Sequence, residues 1–227
     1  MNALDRHDEE LGRVMGGRVD LREGTRSADK HRAILEAATE IFLDRGYAGA
    51  SMDEVAARAA VGKQTVYKHF VDKRSLFTEI VLGTTNQVDG MVQLIAETLS
   101  RTDHVERELT ALARRFLLTL MDPQLLRLRR LIIASAGQFP ELGRAWYQQG
   151  FERVLGSLTD SFTRLAERGL MNVREPGRAA DHFVGMLLWI PLNKAMFMGE
   201  DRPYTTAELE AHADAAVQAF LASHGRP

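Results

Sequence analysis

The chain has 227 residues, 45% apolar and 26% charged, with a formal net charge of −2. That is ordinary for a soluble globular protein with one domain or two small ones, and the bulk charge does not announce a nucleic-acid partner. The absence of cysteine removes disulfides, thiol redox sensing and thiolate metal sites, and fits a reducing cytoplasm. The start of the chain lacks the basic end and apolar run of a secretory signal. The longest apolar run, residues 183–192, is short of the ~20 residues that cross a bilayer, so no membrane partner is expected.

Residues 1–26 are polar, carry Gly12, Gly16, Gly17 and Gly24, and show no sustained period, which predicts a disordered arm. Arg18, Arg22 and Arg26 either enter a minor groove or belong to a solvated tail. From Ser27 on, every pattern is helical. Ile34, Leu35, Ala38, Ile41 and Phe42 repeat at helical spacing over residues 32–46, and Gly46 stands where a helix ends in a left-handed residue. Ser51 and Glu54 form an S-x-x-E capping box for a short helix whose apolar face is Val55, Ala56 and Ala59. Ala60-Val61-Gly62 breaks it, with Val61 placed as the apolar plug of a tight turn. A second short helix follows over residues 63–70, burying Val66 and Phe70 four apart.

That second helix turns Lys63, Gln64, Thr65, Tyr67, Lys68 and His69 outward or along its seam. Five basic residues fall between Arg58 and Arg74 against one acid, Asp72. A helix of this kind fits the major groove, its N-terminal residues at base edges and its flanks on phosphates. Lys63, Gln64 and Thr65 are the base-edge candidates. Tyr67, Lys68, His69 and Lys73 are the phosphate candidates, and Ser51, at a helix N-terminus, is a further one. The alternative for the same pattern is a surface helical hairpin with a solvated polar face.

Around this hairpin, Ile34-Leu35-Glu36-Ala37-Ala38, Phe42, Gly46-Tyr47, Ser51-Met52, Val55-Ala56, Thr65-Val66-Tyr67, Phe70, Lys73 and Leu76 keep a fixed spacing. Over residues 30–80 the chain thereby resembles the DNA-binding domain of the TetR family of transcriptional regulators. The resemblance implies that Tyr67 and Lys73 meet the DNA backbone and that a C-terminal domain binds an effector and dimerises. The chain departs from the family in the turn, where Ala60 replaces the usual glycine; a left-handed backbone there would cost on the order of 1 kcal/mol.

Further along, one long helix is expected over residues 72–100. Asp103 and Glu106 are expected to cap the next, to Met121, with Leu109, Leu112, Phe116 and Leu120 on one face. Asp122-Pro123 opens another with core face Leu125, Leu128, Ile132 and Ile133. Pro140 opens a long helix to about Gly169, Pro176 one to about Gly199, and Thr205 with Glu208 caps the last, to about Ser223. This makes an all-α protein: an arm (1–26), a three-helix helix-turn-helix domain (27–74), and a helical bundle of about six helices (75–227) for effector binding and dimerisation. Arg127, Arg129 and Arg130 read either as a second nucleic-acid patch or as the solvated side of an amphipathic helix, the latter preferred.

No phosphate loop, H-E-x-x-H pattern or nucleophile elbow occurs, so neither enzyme chemistry nor a cofactor is expected. The functional reading is a ligand-responsive regulator, most simply a cytoplasmic repressor that binds a palindromic double-stranded operator as a homodimer. The alternative is a helical carrier or enzyme with an incidental helix-turn-helix. The effector is expected to be an apolar small molecule. Its candidate contacts are Phe116, Trp146, Phe151, His182, Met186, Trp189 and Asn193, although each also reads as plain core. The run 183–190, apolar all round, and the last-helix stripe Leu209, Ala213, Ala216, Val217 and Phe220 are expected to form the dimer interface, with Pro191 kinking the first helix.

Overall fold

The computed structural model describes residues 21–83, 86–199 and 202–225. Among them every regular element is helical, and extended backbone pairs once, in an isolated bridge between Met171 and Gly225. In chain order the elements are α1 (Leu21–Gly49), α2 (Met52–Arg58), α3 (Lys63–His69), α4 (Lys73–Gly83), α5 (Asn86–Ser100), α6 (Val105–Leu120), α7 (Pro123–Ser135), α8 (Pro140–Trp146), a π-helical segment (Tyr147–Glu152), α9 (Arg153–Glu167), α10 (Pro176–Phe197) and α11 (Thr206–His224). They divide into two compact units. One holds the residues up to Ile41 with Ala50–Leu76, the other Phe42–Gly49 with everything from Phe77 on.

In the first unit residues 21–26 are helical and not part of an irregular arm. The cause is that polar residues of good helix propensity, Arg22, Glu23 and Arg26, extend a helix that an apolar face has already nucleated. Arg18 and the rest of the expected arm lie outside the described residues. Ile34, Ala38, Val55, Val66, Phe70 and Leu76 are buried as this unit's core.

The end of α2 shows how the turn is closed. Ala60 N–H donates to Ala57 O and Val61 N–H to Ala56 O, the paired bonds of a Schellman motif. That motif needs a left-handed residue, and Ala60 supplies it at φ +52°, the one non-glycine with positive φ among the described residues. The same closure after α9 uses Gly169. Left-handed backbone strains alanine by ~1–2 kcal/mol, offset by ~0.4–1 kcal/mol from its smaller unfolded-state entropy. Ala60→Gly is therefore expected to stabilise the protein by about 0.5–1 kcal/mol. A melting temperature that falls on this substitution would overturn that expectation.

The second unit is built on an apolar core from α5, α6, α9, α10 and α11. Its centre is an aromatic trio: Phe220 lies 5.3 Å from Phe162 and 5.2 Å from Phe183, ring centre to ring centre. Arg114 of α6 forks onto Asp214 of α11, its Nε 2.6 Å from Oδ1, and this hydrogen bond holds the carboxyl pKa below the ordinary range. A second aromatic group joins Phe42, Tyr47, Phe77 and Phe139, with Tyr47 edge-on to Phe139 at 4.6 Å.

Several expectations for this unit need correction. The range 72–100 is occupied by α4 and α5, with residues 84–85 between them outside the described set. Asp103 does not cap α6. Thr102 Oγ1 accepts the His104 N–H, and the Asp103 carboxylate is drawn to Arg168 at 2.7 Å. On α7 the buried face is Leu126, Leu128, Leu131 and Ile132, while Ile133 is exposed. The long helix from Pro140 holds a π-helical segment that periodicity did not disclose. The stripe on α11, Leu209, Ala213, Ala216, Val217 and Phe220, is buried within its own chain, because α6 and α10 pack on it. The caps at Asp122-Pro123 and Thr205–Glu208 form as expected.

α10 runs through Pro191 as one helix. Proline has no N–H for the carbonyl four residues back, which is Leu187. That carbonyl is instead met by His212 Nε2 of α11 at 3.1 Å. A donor from the neighbouring helix thus replaces the bond that Pro191 removes.

Candidate DNA-binding face and effector cavity

α2 begins where Ser51 Oγ accepts the Glu54 N–H at 3.2 Å. α3 begins at Gly62 and is seven residues long. Val66 and Phe70 anchor it inward, as their four-residue spacing requires. Lys63, Gln64, Tyr67 and Lys68 are then left exposed and Thr65 half-buried. Among the described residues, Gln64, Tyr67 and Lys68 make no hydrogen bond or ion pair, so their polar ends face solvent uncommitted.

The other candidates are already engaged. Lys63 Nζ pairs with Asp53 at 2.8 Å, and that hydrogen bond raises the ammonium pKa. Lys73 Nζ donates to Ala50 O at 2.9 Å, tying α4 to the segment before α2. His69 is half-buried against His31, ring centres 5.4 Å apart, and His31 stacks on Phe70 at 5.0 Å. Arg58 pairs with Glu40 at 2.8 Å.

The second unit holds a cavity of ≈ 80 Å³ that is partly open to solvent. Phe116, Trp146 and Phe151 meet there, from α6, α8 and the π-helical segment. Val88, Met91, Leu125 and Arg129 complete much of the wall, and sequence reasoning named none of them as contacts. The π-helical segment places Gly150 at the wall, where an added Cβ would stand 4.0 Å from Val88; π-helical turns recur at functional sites.

Arg129 is the main correction. It is not on a solvated face: its Nε is fully enclosed and has no hydrogen-bond partner among the described residues. Its Cζ stands 4.9 Å from the centre of the Trp146 ring, and burial pushes its pKa down to about 10. A signal existed, since Leu125, Arg129 and Ile132 follow i, i+4, i+7 and so share the apolar face of α7.

His182, Met186, Trp189 and Asn193 do not reach this cavity. Their helical spacing puts them on one face of α10, opposite the buried Phe183, Val184, Leu187 and Leu188. Trp189 is 67% exposed, Ile190 60% and Phe197 83%. His182 is exposed beside His224, and Asn193 Nδ2 donates to Trp189 O at 2.7 Å. The apolar run thus has one side in its own core and the other uncovered, and no helix among the described residues is long and apolar enough to cross a membrane.

A helix-turn-helix unit with an open polar face and a helical unit with an apolar cavity together have the build of a DNA-binding regulator. The family model for bacterial regulatory proteins of the tetR family matches residues 34–80, and that for the AefR-like transcriptional repressor C-terminal domain matches residues 107–226. A crystal structure described as a TetR-family transcriptional regulator from Mesorhizobium loti is 52% identical, covers 88% of this chain and 98% of its own, and superposes with a TM-score of 0.81. The transcriptional activator FasR of Mycolicibacterium smegmatis is 36% identical over 51% of this chain, which spans 50% of FasR. SmeT, the repressor of a multidrug efflux pump of Stenotrophomonas maltophilia, shares the fold at 20% identity, covering 87% of this chain and 92% of its own, with a TM-score of 0.63. The chain belongs to the TetR family of transcriptional regulators.

Proposed function

We propose that this protein is a cytoplasmic, ligand-responsive repressor that binds a palindromic operator as a homodimer and leaves it when a small molecule fills the cavity of the second unit. The observation that carries the reading is α3, with Val66 and Phe70 anchored and Gln64, Tyr67 and Lys68 open to a major groove. One such helix per subunit, related by a two-fold axis, demands a two-fold operator. Gln64 and Thr65 read base edges, with Lys63 once it exchanges Asp53 for DNA. Tyr67 and Lys68 hold phosphates. Ser51, Lys73 and His69 chiefly position the reading head, through the bonds already described. No cofactor or catalytic step enters this function.

Release is a population shift. The effector acts only by its differential affinity for the DNA-competent and incompetent states. An effector that outgrows the cavity displaces wall side chains, Met91 most readily, and that displacement gives binding a conformational consequence.

Selecting bound DNA from a random pool is expected to return a two-fold symmetric site. On that site Lys68→Ala should weaken binding to all sequences and flatten the dependence of log K on log salt by about one unit. Gln64→Ala should relax preference at one base position by about 1–3 kcal/mol. If both variants keep specific affinity and salt slope, α3 is not the reading helix.

A further inference from the structure

Three arginines sit within one turn of α7, and the protein treats them differently. Arg127 is paired with Asp44 at 2.6 Å. Arg130 Nη1 donates to Ala195 O at 3.0 Å. Arg129, the one that lines the cavity, has no ion pair among the described residues, and its Nε is enclosed without an acceptor. A buried donor left unmatched calls for an explanation, and an unbound ligand is one.

Arg129 is also held for such a task. Its Cζ stands over the Trp146 ring, 4.9 Å from the centre, a cation–π contact that helps hold the guanidinium at the wall. A guanidinium is the side chain best suited to a carboxylate, which accepts its N–H bonds. The rest of the wall is apolar, from Phe116, Leu125 and Phe151 among others. With its pKa near 10 the group remains cationic at neutral pH.

We propose that the effector is an amphipathic organic acid, its anionic oxygens on Arg129 and its apolar body among Phe116, Leu125 and Phe151. This rests on reading the cavity as the effector site. The charge of Arg129 then selects an acid over an alcohol of the same shape.

The test uses the full chain carrying Trp189→Phe, so that Trp146 is the emitting tryptophan. Two matched pairs are titrated at pH 7.5: octanoate against 1-octanol, and 3-phenylpropionate against 3-phenylpropanol. Each acid is expected to bind about tenfold or more tighter than its alcohol. Adding Arg129→Met should bring the ratio close to one while alcohol binding persists. Arg129→Gln, neutral and still polar, should do the same, and circular dichroism checks that both fold. If acid and alcohol bind equally, or the preference survives both substitutions, the inference falls while the cavity reading stands. If none of the four compounds alters Trp146 emission, the cavity reading fails and takes the inference with it.

Discussion

In the homodimer proposed above, Trp189→Asp is expected to turn the dimer into a monomer and to remove tight operator binding while leaving the fold intact. α10 presents Met186, Trp189, Ile190 and Phe197 on its uncovered side, with Trp189 67% and Phe197 83% exposed. Residues of this size on one face mark an association surface. In a two-fold interface one substitution occurs twice, and truncating a central tryptophan costs ~2 kcal/mol or more each time. A buried, unpaired aspartate adds to that. The dimer dissociation constant should rise by on the order of 10³-fold or more, and a monomer holds one half-site. Ala216→Asp on α11 is the contrast. Ala216 is buried within its own chain, so that variant should unfold and not merely dissociate. Sedimentation showing an unchanged dimer for Trp189→Asp would place the interface elsewhere.

The helix-turn-helix was legible because what defines it is local. Ser51 reaches Glu54 three residues on, Val66 and Phe70 share a face by spacing alone, and Ala60 declares itself where a turn needs a left-handed residue. What the sequence withheld was the occupancy of each polar group. Lys63, His69 and Lys73 read as outward candidates like Lys68. Yet they meet Asp53, His31 and Ala50, partners between ten and thirty-eight positions away in the chain. Asp103 failed as a cap for the same reason, since Arg168 is remote in sequence.

In the second unit periodicity showed which residues share a face but not what the face meets. His182, Met186, Trp189 and Asn193 were expected at the effector site with Phe116, Trp146 and Phe151, but they share the uncovered side of α10 and not the cavity wall. The α11 stripe was a true apolar face too, but α6 and α10 cover it. Phe116, Trp146 and Phe151 do meet, across three elements, and the π-helical segment that helps bring them together has no periodic signature. Charge misled most at Arg129, where an arginine triplet suggests solvent and the face it occupies suggests burial.

Arg129→Met should make the protein more stable, which is not the usual result of replacing a residue at the wall of a packed bundle. Burial lowers the Arg129 pKa from the ordinary arginine value to about 10. At ~1.4 kcal/mol per pKa unit, the charged form costs the folded state on the order of 3 kcal/mol at neutral pH. Methionine keeps an apolar stem of similar reach and discards the charge, while the lost contact with Trp146 returns ~0.5–2 kcal/mol of that gain. A net stabilisation of about 1–2 kcal/mol should raise the melting temperature by roughly 2–4 °C per kcal/mol for a protein of this size. The pH dependence fixes the sign. Below about 10 both folded and unfolded chains carry the proton, so the penalty is fully present. Above it the folded state loses the proton first, and the penalty is relieved. The stability difference between Arg129→Met and the parent should therefore shrink as pH rises through about 10. A variant less stable than its parent at neutral pH would make Arg129 a structural residue whose bonds hold the bundle together. A variant that is more stable, yet no longer prefers acids to alcohols, would show a site kept at the expense of stability for the ligand it binds.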